Sequence, residues 1–477
     1  MHEYDIWCFG KIVPLINKMR RLQGRGNSNM KKKIISIMLS AMTLLTTLSG
    51  CGIADAGSGD QAGENQEGKV VNIYSWNSEF QGLYEAYAAD LAEKHGVKVH
   101  FIINSSDNNS YQINLDNALK EQNEVIDDDK VDIFLIEADY AGKYTKSDYV
   151  LDVKNDIGLT DEDMQGQYQY TKDIVTVDNA LKAVSWQATP GLFAYRRSIA
   201  REVLGTDDPA KVQEMVADWN KFNAVAEKMD AAGYDMLSGY DDSYRAFSNN
   251  VSAPWVVNGT VNIDPSIVAW IEQTKEFTDK GYNNRTGLWS PQWSKDQGPE
   301  GKVFGFFYST WGINFTLLGN ALADSDAEKT FGNGNFGDYA VCEGPKAYYW
   351  GGTWICGAKG SDNISFIKDL MLRLTCDPET MKQITLDTQD FTNNQEAMEE
   401  IAKSDYKSDF LGGQNHVALF AEAATKIDMS NASDYDKDMN EDIQTSMHKY
   451  FDGELTYEEA LDDFYAQVAE KYPNLKR

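Results

Sequence analysis

The chain has 477 residues, with 74 acidic side chains against 44 basic ones and a net charge of −30. A surface this negative repels phosphate backbones, which excludes nucleic acid as a partner, and the length exceeds what one ordinary hydrophobic core serves. Beyond position 51 the cysteines are Cys342, Cys356 and Cys376, an odd set without CxxC spacing, expected as mostly buried free thiols.

Residues 1–29, with Trp7, Cys8 and Pro14, do not look like the start of an export signal and are expected to be an upstream extension preceding a true start at Met30. Lys31, Lys32 and Lys33 then lead into an apolar run, so 30–50 reads as a signal peptide. Its end, Leu48-Ser49-Gly50-Cys51, resembles the lipobox of bacterial lipoproteins, which implies cleavage before Cys51 and a lipid on its sulfur. The mature chain then has 36 basic and 72 acidic residues, and 51–69 is a Gly/Ser/Asp-rich flexible tether.

From residue 70 short apolar runs alternate with helical periodicity: 70–75, a helix through Leu83, Tyr87 and Leu91, then 97–103, a helix over 111–122, and 131–136. This predicts an α/β fold with a mostly parallel, doubly wound sheet whose ligands sit beyond the strand ends, at Trp76-Asn77, Asn104–Asp107 and Glu137–Tyr140. Pro190-Gly191 interrupts an extended segment over 181–197, as in a chain crossing between lobes. Mostly helical sequence follows, with strands at 303–307 and 339–342, and Gly351-Gly352-Thr353 begins a second crossing. Thr456-Tyr457-Glu458-Glu459 is a capping box.

No HExxH, GxSxG or phosphate-loop motif occurs, and no cofactor or metal is expected. Gly332–Gly337 spells GxGxxG without the strand-then-helix context of a dinucleotide site, so it reads as a loop. The positive signal is aromatic: Trp76, Trp186, Trp255, Trp289, Trp293, Trp311 and Trp350 fall at strand ends or in loops, where indole faces can stack on sugar rings. Carboxylates such as Asp241-Asp242 or Glu137 with Asp139 leave a cell-surface glycoside hydrolase as the alternative, and the acidic balance leaves a peptide or polyamine receptor.

Taken in order, the lipobox, the opening strand with Trp76, the crossing Trp186–Gly191 before Tyr195-Arg196-Arg197, Trp311-Gly312 and Gly351-Gly352-Thr353 resemble the solute-binding lipoproteins of carbohydrate ABC importers, in the group similar to maltose-binding protein. The resemblance implies a two-lobed periplasmic-binding-protein-like fold with two or three crossings and a ligand cleft, with 70–186 plus 353–406 as one lobe and 187–352 plus 407–477 as the other. It further implies a non-enzymatic, monomeric receptor for an oligosaccharide or other sugar, anchored to the outer face of the cell membrane and serving ABC permease subunits. Carried over by position, its ligand contacts are Trp76, Asn77, Asp139, Trp186, Gln187, Asp241, Tyr244, Trp255, Trp311, Trp350, Gly352, Thr353, Gln414 and Asn415. The segments 238–244 and 288–293 have no counterpart and are expected to encode ligand choice.

Cys51→Ala is expected to release the protein from membranes while leaving ligand affinity intact; membrane fractionation beside calorimetry checks this, and loss of binding would contradict the split between anchor and lobes.

Overall fold

The computed structural model describes residues 68–477, so the expected extension, signal, Cys51 and most of the tether lie outside the described residues. β1 (Val70–Ser75) seats Val71 and Ile73 in the core, and α1 (Glu79–Tyr87) turns Phe80, Leu83 and Tyr84 inward. β2 (Lys98–Ile103) runs parallel to β1 on one side. α2 (Ser110–Glu121), burying Tyr111, Leu115 and Leu119 four residues apart, leads to β3 (Ile133–Glu137), parallel to β1 on the other side.

The chain leaves this sheet through β4 (Val184–Ser185) and enters the second lobe as β5 (Gly191–Arg196). There follow α3 (Trp219–Ala231), β6 (Leu237–Gly239), α4 (Tyr244–Ser248), α5 (Pro265–Lys280), β7 (Asn283–Thr286), β8 (Gly305–Ser309) and β9 (Tyr339–Cys342). β10 (Thr353–Gly357) returns to the first lobe, where α6 (Pro378–Thr388) lies; α7 (Gln395–Ala402) falls within the stretch leading back, before α8 (His416–Ala424), α9 (Asp436–Phe451) and α10 (Tyr457–Lys471). The first sheet has the order β2-β1-β3-β10-β4 and the second β8-β5-β9. Bonds from Phe304 N to Asp235 O (2.8 Å) and from Gly305 N to Met236 O (3.2 Å) join the β6–β7 pair to the β8 side. α4, α5, α9 and α10 close around a smaller core that includes Tyr240, Tyr244, Trp255, Trp270, Phe451 and Phe464. α10 opens with the capping box read from the sequence.

Of the expected mostly parallel sheet, parallel pairing is found for β1, β2 and β3 in the first lobe and for the short β6–β7 pair in the second. β10 is antiparallel to both β3 and β4, and β5 is antiparallel to β8 and β9. The reason is the crossing: a strand carrying the chain out and the neighbour that brings it back must run in opposite directions.

The three crossings, at 186–190, 343–352 and 389–415, are bonded to one another. Thr189 Oγ1 donates to Gly351 O at 3.0 Å, Trp350 N donates to Thr189 O at 3.1 Å, and Asn393 N donates to Trp186 O at 2.8 Å. Gly351 and Gly352, at φ 75° and 110°, need the freedom of glycine, whereas the β-branched Thr189 holds φ 45° against its steric preference. The buried Asn393 ties the third crossing to the first lobe. Its amide donates to Ser185 O and Thr171 Oγ1, both at 3.0 Å, and its Oδ1 accepts from Tyr168 N at 3.0 Å.

Asn393→Ala would leave buried partners unsatisfied, and chemical denaturation is expected to record a loss of about 2–3 kcal/mol; an unchanged midpoint would contradict that role.

Candidate functional site

Because β1, β2 and β3 are parallel, their carboxyl ends meet at one edge and present 76–79, 104–107 and 137–140 to the second lobe. Trp76 is half-buried there, edge-on to Tyr111 (5.5 Å) and Tyr140 (6.3 Å). Across the cleft the second lobe supplies α4 and the loops around 289, 311 and 350.

Trp289, Trp311 and Trp350 form one cluster. Trp289 lies 6.2 Å from Trp311 with planes 17° apart and 5.6 Å from Trp350, and Trp311 Nε1 donates to Trp350 O at 3.0 Å. Trp289 adopts φ 68°, a left-handed conformation that a bulky side chain keeps only when its surroundings impose it. Arg245 on α4 covers Trp350 at 5.3 Å and reaches Asp139 of the first lobe at 3.5 Å, so one guanidinium links an aromatic wall to the opposite lobe. A second link joins Lys146 to Asp434.

The cleft is acidic. Burial, reinforced by the Asp139 charge, pushes Glu137 up to about 8, although the Asp139 amide and Arg245 oppose this. Burial and the Asp390 charge raise Glu79 to about 7, against a hydrogen bond from Gln187. Burial works against the Arg245 guanidinium, but Asp139, Tyr349 and Glu137 hold its pKa above the ordinary value. No group of three or more His, Cys, Asp or Glu among the described residues could hold a metal. No helix among them is long and apolar enough to cross a membrane.

A sequence model described as bacterial extracellular solute-binding protein matches residues 86–410, most of the chain. The chain belongs to that family. This solute-binding protein also superimposes on solved structures across both lobes. One, described as extracellular solute-binding protein family 1, gives a TM-score of 0.70 at 16% identity, covering 84% of this chain and 99% of that one. The galacto-N-biose/lacto-N-biose I-binding protein of an ABC transporter from Bifidobacterium longum, solved with lacto-N-biose, gives 0.63 at 14%, covering 86% and 100%. A Staphylococcus aureus extracellular solute-binding protein solved with maltose gives 0.59 at 17%, covering 86% and 100%. At these identities the likeness shows the two-lobed fold alone. No curated protein matches the sequence.

The residues expected at the site divide into three groups. Trp76, Asp139, Trp311 and Trp350 stand at the facing edges just described. Gly352 and Thr353 lie beside them as backbone: Gly352 O accepts from Ala138 N at 3.2 Å, and Thr353 pairs with Glu137 at the start of β10. Asn77 Oδ1 accepts from Glu79 N at 3.0 Å and shapes the entry to α1. Gln187 is buried at the cleft floor with its amide on Glu79 and Asp390.

The rest require correction. Trp186, 2% exposed, packs on Phe80 at 5.2 Å, and Tyr244 and Trp255 both donate to Asn440 Oδ1 inside the smaller core, so these three rings serve packing. Asp241 pairs with His448 at 2.7 Å. Gln414 bonds Val341 N and O and extends the edge of β9, while the Asn415 amide donates to Ile401 O. Conversely, Arg245, Glu79 and Asp390 belong to the cleft but not to the expected set, while Trp289 was expected only among the loop tryptophans and the 288–293 segment. Arg245 had one signal, being a cation directly after an acidic aromatic loop; Glu79 and Asp390 had none.

Because Glu137 is raised above its unfolded value, its ionisation opposes folding. Its contribution is absent below about pH 4.5 and grows as pH rises toward about 8. Thermal melts of the ligand-free protein between pH 5 and 8 are expected to fall less steeply in Glu137→Gln than in wild type; parallel curves would contradict this reading.

Proposed function

We propose that this protein captures a sugar, best read as an oligosaccharide, between its lobes and delivers it to the permease of an ABC transporter. The observation that carries the reading is the indole cluster Trp289–Trp311–Trp350 facing a polar, acidic wall on the other lobe. A pyranose needs this combination, an apolar surface for its C–H face and acceptors for its hydroxyls. The sugars in the complexes of fold neighbours with maltose, lacto-N-biose and β-1,6-galactobiose favour the same ligand class. Ligand contacts drawn from both lobes stabilise a closed arrangement in proportion to what the open one cannot offer.

The protein acts as a monomeric receptor and not as a glycoside hydrolase. Of the adjacent acids considered for catalysis, Asp241 is engaged by His448, while Asp242 accepts from Ser238 N, Gly239 N and Trp293 Nε1 and organises the 238–242 turn. The lipid on Cys51, facing the extracellular side, and the tether behind it keep capture close to the permease; the order of lysines, apolar run and Leu48-Ser49-Gly50-Cys51 supports this.

Calorimetry on Trp311→Ala is expected to show a loss of roughly tenfold or more in affinity for every sugar the wild type binds. Unchanged affinity would remove Trp311 as the platform.

A further inference from the structure

The three indoles on the second lobe's side of the cleft are not equally open. Trp350 is 8% exposed, with Trp311 edge-on to it at 5.4 Å, Trp289 at 5.6 Å and the Arg245 guanidinium at 5.3 Å. Trp311 and Trp289 are only partly buried, so these two carry the indole surface that a ligand can reach. Their planes lie 17° apart and their centroids 6.2 Å apart, an offset stack. Contacts on both faces of a pyranose would need about 7–8 Å between the rings. A sugar therefore cannot enter the stack and must lie along it.

Trp289 is fixed by the chain on either side of it. On one side is Thr286 at the end of β7: its hydroxyl bonds Ser238 Oγ at 2.7 Å, and its carbonyl accepts from Tyr240 N at 3.2 Å. On the other is the helical turn Pro291–Asp296, capped by Ser290. Trp293 Nε1 there donates to the buried Asp242 carboxylate at 2.8 Å, and the buried Asp296 accepts from Ser238 Oγ at 2.7 Å and from the Asn284 and Gln292 amides. With both ends pinned, residues 287–290 bridge the gap, and the Trp293 ring backs that of Trp289 at 4.9 Å. The φ of 68° is thus imposed on a bulky residue, although glycine would adopt it without cost. Strain kept beside a ligand cleft points to a use for the ring that it aims. The segments 238–244 and 288–293 therefore act as one unit, in which Ser238 and Asp242 of the first hold the second, and the second presents Trp289.

We propose, on the sugar-capture reading, that Trp289 selects for ligand length: it extends the Trp311 platform by a second ring, so that one sugar unit stacks on Trp311 and the next on Trp289.

Calorimetry on the mature protein tests this with glucose, maltose and maltotriose, with galactose and β-1,6-galactobiose, and with the sugars retained from a mixed oligosaccharide library. Trp289→Ala is expected to weaken di- and longer saccharides by roughly tenfold and monosaccharides by less than about twofold, whereas Trp311→Ala weakens both. Trp289→Phe should recover most of the length preference. Trp289→Gly, which relieves the backbone, should melt above Trp289→Ala and show the same loss of preference, and it carries the test should the alanine variant fail to fold. An equal loss at every length, no loss at all, or a wild type that binds monosaccharides alone would overturn the length-selecting role and leave sugar capture standing. A wild type that binds none of these sugars would contradict both.

Discussion

The architecture depends on bonding between the three crossings. Strands β5 and β10 begin at the crossing segments, and the short chain stretches between the lobes are held to each other by Thr189 with Gly351 and by Trp186 with Asn393. These bonds fix where the strand ends of one lobe meet the loops of the other, and so where Trp311 and Trp350 stand relative to Asp139. Left-handed backbone falls at Thr189, Gly351 and Gly352 in these crossings, and Thr189 alone among these carries a β-branched side chain, so its conformation stores strain at a crossing between the lobes.

Electrostatics gives the cleft its second property. Acids at its walls are desolvated without equal numbers of cations, which raises Glu79 and Glu137 well above the carboxylate range. Arg245 relieves only the Glu137–Asp139 side, reaching across the cleft while lying on Trp350. It thus occupies part of the aromatic surface that a sugar would use, and ligand entry on that side means exchanging a cation–π contact and an ion pair for stacking and hydroxyl bonds. Asp139 is in that case both a lobe-to-lobe contact and an acceptor in reach of ligand.

Much of the fold was legible because it follows from periodicity. Alternating apolar runs and helical spacing located β1, β2 and β3, Pro190-Gly191 marked the first crossing, and the capping box at Thr456 marked a helix start. Strand direction beyond β3 was not legible, since it is set by the return of the chain from the other lobe and not by any local pattern. The candidate site was legible where a strand end or loop carried an aromatic or acidic side chain, as at Trp76, Asp139, Trp311 and Trp350. Trp186, Tyr244 and Trp255 look the same in sequence but are drawn inward by partners far along the chain: Phe80 for the first, Asn440 for the other two. Glu79 and Asp390 stand more than three hundred residues apart, and only the crossings bring them onto one amide.

A receptor of this kind binds a sugar in its cleft and releases it unchanged. Equilibrium dialysis of the mature protein against a mixed oligosaccharide library, with mass spectrometry of what the protein retains, reads this out. Enrichment of a narrow set of sugars, recovered intact and in equimolar amount to protein, is expected. Recovery of shortened products, or retention of no sugar at all, would contradict it.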